Sequence, residues 1–101
     1  MKTFEDLNFN THKNTKKGIS ATMELTPNVF MSVIAGPGFY STPGGIGSDD
    51  SKFKNKPSVK DFSSFEVGII DENLPEDEQQ FEVTGWMGRD EINTLISKHG
   101  K

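Results

Sequence analysis

A chain of 101 residues has room for one domain, 1–101, and one modest core. Its hydrophobic fraction of 32% rises only to about 42% once the ten glycines are added, a little below the usual range, and no apolar run approaches the ~20 residues of a membrane span. A net charge of −4 argues against direct nucleic-acid binding, and the absence of cysteine excludes disulfides, a thiol nucleophile and thiolate metal sites.

The N-terminus has two acids after Lys2 and no apolar stretch, so it does not read as a signal peptide. Thr3-Phe-Glu-Asp6 resembles an N-capped turn that tucks Phe4 and Leu7 against a sheet. From Gly18 to Thr26 the side chains alternate, Ile19, Ala21, Met23 and Leu25 against Ser20, Thr22, Glu24 and Thr26, which predicts a half-buried strand. Pro27-Asn28 predicts a tight turn into a second strand, Val29–Ala35. That run is apolar on both faces, with Phe30 and Ile34 opposite Val29, Met31, Val33 and Ala35, as expected of a central or covered strand.

Gly36 to Asp61 holds five of the ten glycines and three of the five prolines. A connection this long is either functional or disordered, and Phe39, Tyr40, Ile46, Phe53 and Val59 argue that parts of it fold back onto the sheet. A third strand follows at Ser63–Ile70 with Phe65, Val67 and Ile69 inward, and a fourth at Gln80–Thr84 with Phe81 and Val83 inward. Between them Asp71–Gln79 reads as a wide polar loop. Trp86, set between Gly85 and Gly88 with Met87, either closes one end of the core or stands as an exposed anchor. Ile92, Leu95, Ile96 and His99 form one stripe of a closing helix, with Asp90 and Glu91 in its first turn and Lys98 and His99 in its last. The predicted fold is α+β: a four-stranded antiparallel meander, one C-terminal helix and a long Gly/Pro-rich loop.

Charge is blocked along the chain. Lysines gather at Lys13–Lys17 and Lys52–Lys60 without an acid, and acids at Asp71–Glu82 without a base. Nothing here builds a catalytic constellation. The Gly-rich stretch Gly36–Gly47 lacks the Gly-Lys-Ser/Thr of a phosphate loop and is followed by Asp49 and Asp50, which repel phosphate. His12 and His99 lie near opposite ends of the chain, and the paired acids lack calcium-loop spacing. No enzyme activity, cofactor or metal is expected.

The opening Lys2-Thr-Phe-Glu-Asp-Leu7 with Phe9 and His12 resembles the start of small accessory proteins of tailed bacteriophages, a group without an assigned activity. The likeness continues through Gly18, Ala21, Met23, Ser32-Val33, Gly36-Pro37, Tyr40, Phe65-Glu66-Val67, Gly85 and Asp90-Glu91, and is broken by the longer Gly44–Asp61 stretch. The resemblance implies a protein made in the host bacterial cytoplasm that binds and modulates a host or phage macromolecule, such as a component of antiviral defence. It transfers no site residue. The residues expected to touch such a partner are Phe39, Tyr40, Ile46, Asp49 and Asp50 of the long loop and Glu76, Asp77 and Glu78 of the acidic one. Two alternatives belong to other classes: an oligomer that sequesters a nucleotide-like ligand on loop amides, and a virion or assembly component. Open sheet edges also suit a homodimer.

Overall fold

The computed structural model describes residues 2–45, 47–78 and 82–99. Five antiparallel strands lie in chain order: β1 (Asn10–Thr11), β2 (Ile19–Thr26), β3 (Val29–Ala35), β4 (Phe65–Asp71) and β5 (Glu82–Met87). The closing helix α1 spans Arg89–His99. The meander and the α+β class are those read from the sequence, with β1 as an added two-residue strand paired to Ile19 and Ser20.

The period-two pattern of β2 sets the faces. Ile19, Ala21, Met23 and Leu25 are buried, joined by Met31, Val33 and Ala35 of β3 and Phe65 and Val67 of β4. α1 lies over this face through Ile92 and Ile96, and Phe4, Leu7 and Phe62 complete the core. The turn at Phe4–Asp6 is fixed to the helix by the Phe4 N–H, which donates to Asn93 Oδ1 at 2.7 Å, and to itself by the Thr3 N–H, which donates to Asp6 Oδ2 at 2.8 Å. At the β2–β3 turn Asn28 takes a φ of 66°, a left-handed conformation that asparagine tolerates better than most residues.

Two expectations are corrected at β5. The strand continues three residues past Thr84, to Met87, and its ladder slips between Phe65 and Val67 so that Gly85 and Trp86 both face Glu66. Val83 pairs with Gly68, on the face away from the helix, and is 48% exposed rather than inward. Alternation fixes which residues share a face, and the register with Gly68 decides which face it is. Phe81, expected inward, lies outside the described residues.

The long connection between β3 and β4 is also not a free loop. It makes short 3-10 turns at Asp50–Lys52 and Val59–Asp61, pairs Thr42 with Ser64, and places Phe53 and Val59 against the core. The Lys56 N–H donates to the Lys16 carbonyl at 2.7 Å, tying it to the β1–β2 turn. Arg89 locks it further. Its guanidinium donates to the carbonyls of Val59 at 2.9 Å and Phe62 at 3.0 Å and lies 5.2 Å from the ring centres of both Phe4 and Phe65.

A meander sends alternate connections to opposite ends of the sheet. The β1–β2 turn and the β3–β4 segment therefore bring Lys13, Lys16, Lys17, Lys52, Lys54, Lys56 and Lys60 to one end, with Asp49, Asp50 and Asp61. Asp71, Glu72, Glu76, Asp77 and Glu78 lie at the other, one strand length away, roughly 20 Å.

Candidate functional site

Gly36 to Gly45 folds into a compact knot around Ser41, which is 2% exposed. The Ser41 hydroxyl accepts from the Gly36 N–H at 3.0 Å and donates to the Pro43 carbonyl at 2.9 Å. A Cβ on Gly44, whose φ is 153°, would stand 2.3 Å from the Ser41 Oγ, so only glycine closes the knot. The amides are used internally. Those of Gly38, Phe39, Ser41 and Gly45 donate to the carbonyls of Gly45, Gly36, Phe39 and Phe39 respectively. These donors are therefore turned inward, away from any phosphate that the Gly-rich composition would suggest.

The knot aims its two aromatic residues in different directions. Phe39 is half-buried with its ring 4.8 Å from that of His12, at the β1–β2 turn. Burial, then the neighbouring Lys13, lowers the pKa of His12, whose Nδ1 accepts the Asn14 N–H at 3.0 Å. Tyr40 crosses to the far side of the sheet. Its N–H donates to Glu66 Oε1 at 3.0 Å, its carbonyl accepts the Trp86 N–H at 2.9 Å, and its ring lies 5.0 Å from that of Trp86. Gly85 makes room for this, because a Cβ there would come within 2.6 Å of Tyr40 Cβ.

Trp86 is 56% exposed and takes a φ of 53°. The reading that seats it in the core is thus overturned, while Met87 does pack against the core. The physical cause is the ladder slip: the extra residue opposite Glu66 turns Trp86 out of the alternation that would carry it inward. Gly85 and Gly88 beside it are the local sign in the sequence of an irregularity here.

The remaining expected contact residues do not join this corner. The Asp49 carboxylate accepts the Ser51 N–H at 3.0 Å and hydroxyl at 2.7 Å, contacts that lower its pKa and cap the turn Asp50–Lys52. Asp50 accepts Lys17 Nζ through its carbonyl at 2.6 Å. Glu76, Asp77 and Glu78 form an exposed 3-10 turn at the opposite end of the sheet, so the two loops do not share one surface. Ile46 lies outside the described residues. Among the described residues no cluster of three or more acids and histidines is placed to hold a metal, and no helix is long and apolar enough to cross a membrane.

No family model, curated protein or solved structure matches the chain. The Tyr40–Trp86 corner therefore stands on its own geometry.

Proposed function

We propose that this chain is a non-enzymatic binding protein that holds a macromolecular partner at the Tyr40–Trp86 corner. The observation that carries the reading is Trp86 itself. A bulky residue at positive φ costs about 1–3 kcal/mol and persists only where its surroundings enforce it. Here the enforcement leaves more than half of the largest side chain in the protein facing water. Tryptophan and tyrosine are favoured anchors at interfaces, and an indole already fixed by a ring contact and a main-chain hydrogen bond loses little freedom on binding.

The biological setting is proposed from the sequence resemblance: a phage accessory role in the bacterial cytoplasm, with a host or phage protein as partner and antiviral defence as its class. The inward-turned amides of the knot count against the nucleotide-sequestering alternative.

The test uses the full chain as bait in bacterial lysate beside Trp86→Ala and Tyr40→Ala, each checked for folding by circular dichroism. Loss of one specific partner with either folded variant supports the reading. Retention of that partner by both, or no partner at all, refutes it.

A further inference from the structure

The strand registers build a furrow on the sheet face away from α1. One row crosses the strands as Thr22, Ser32, Gly68 and Val83. Thr22 and Ser32 are small and Gly68 has no side chain, while Val83 closes the row at β5. A flanking row runs Glu24, Phe30, Ile70. The other runs Ser20, Ile34, Glu66 and ends at Gly85, over which Tyr40 sits with the Trp86 ring against it. Same-face neighbours along a strand are two residues apart, so the flanking rows are about 13 Å from each other, enough for one segment of chain. The floor opens into a depression of about 340 Å³ lined by Thr22, Phe30, Ser32, Ile70 and Glu72.

Its strand residues carry acids and apolar groups. Phe30, Ile34 and Ile70 are only half-buried and Val83 is exposed; the strands and the start of the β4–β5 loop bring Glu24, Glu66 and Glu72, and Lys2 Nζ sits at the β2 edge on the Glu24 carbonyl at 2.6 Å. No lysine or arginine occurs among the strand residues that form this face. Of the lysines in the connections, Lys17 Nζ is held by the Asp50 carbonyl and Lys54 Nζ by the Asp61 carboxylate at 3.1 Å.

We infer that this furrow docks a basic, amphipathic segment of a partner protein, with apolar side chains between the Phe30/Ile70 and Ile34 walls. Its lysines or arginines then reach Glu24, Glu66 and Glu72 and the exposed ring of Trp86. A cation over an indole face is attracted by the ring quadrupole, and opposite potentials across an interface fix register and raise the association rate. The inference rests on the binding role proposed for the Tyr40–Trp86 corner and names the partner class.

Trp86 is the single tryptophan, so its emission reports the site directly. The probes are a short peptide of alternating leucine and lysine, and its leucine–glutamate counterpart, titrated into the full chain with calorimetry as a second readout. The lysine peptide is expected to shift Trp86 emission to the blue and saturate, weakening as salt rises, while the glutamate peptide does neither. Thr22→Arg and Ser32→Arg place a cation in the furrow and are expected to weaken the lysine peptide by about tenfold or more. Neutralising Glu76, Asp77 and Glu78 together is expected to leave it unchanged. No binding of the lysine peptide, equal binding of both peptides, or binding lost only in the acidic-loop variant overturns the inference. In lysate, a partner lost by Trp86→Ala but kept by both furrow variants would sink the furrow while leaving the corner standing.

Discussion

Arg89 is the side chain on which the long connection depends, and replacing it with alanine tests that dependence. A cation at the first residue of α1 opposes the helix dipole, an arrangement that costs about 0.3–1 kcal/mol and needs a compensating gain. The gain is the pair of hydrogen bonds to Val59 and Phe62 carbonyls, together with the approach to the Phe4 and Phe65 rings. Hydrogen bonds from a charged donor contribute about 1.5 kcal/mol or more each. Each ring contact adds about 0.5–1 kcal/mol. Water reaching the vacated carbonyls and relief of the dipole penalty offset part of the loss, so Arg89→Ala is expected to destabilise by about 3 kcal/mol. For a domain of this size that is a fall of roughly 12–24 °C in Tm. Arg89→Lys keeps the charge but loses the fork, and should fall between alanine and the native residue. Urea unfolding followed by far-ultraviolet circular dichroism measures all three. A loss below about 1 kcal/mol for Arg89→Ala would refute the assignment of the connection's anchorage to this residue.

Other substitutions probe the knot, the corner and the β1–β2 turn. Ser41→Ala leaves the Gly36 N–H without its acceptor in a buried site and should cost about 1–3 kcal/mol by the same urea assay. Gly85→Ala forces Tyr40 away from the strand and should alter the Trp86 emission maximum, whereas an unchanged spectrum with native stability would contradict the packing described. The lowered pKa of His12 means that the unfolded chain takes up the imidazole proton first as pH falls. Its contribution is therefore complete above the unfolded pKa of about 6.5 and is lost as pH drops through the folded value. Melting curves from pH 8 to pH 5 should show this decline in the native chain and a smaller one in His12→Gln.

β2 is legible because burial on one side writes a period of two from Ile19 to Leu25, and β3 because its run is apolar on both faces. The helix showed itself by its stripe and by charges placed with its dipole. β5 was harder to read. Its register depends on pairing with β4, and the slip opposite Glu66 breaks the alternation from which its faces would be judged. The sequence leaves Trp86 between core and surface, and only the bulge resolves it. The role of Arg89 is not written in the sequence, because a lone basic residue at a helix start has no periodicity; its one local sign is that it opposes the dipole. The furrow was half visible in the serine and threonine face of β2, but the row that forms its floor comes from four strands and exists only once they are in register.

The connection between β3 and β4 is also where the sheet can be cut in two by sequence. A cut between Lys52 and Lys60 separates β1–β3 from β4–β5–α1 without breaking a strand. The central β3–β4 ladder then becomes an interface between two chains, and α1 of the second piece still lies on β2 and the Phe4–Asp6 turn of the first. Each fragment alone leaves the larger part of the core face uncovered, so folding of either is coupled to meeting the other. The aromatic corner is likewise shared, with Tyr40 on one fragment and Trp86 on the other. Mixing the two fragments is therefore expected to return Trp86 to its ring contact, and its emission would read that reunion in a protein with no covalent link between its halves.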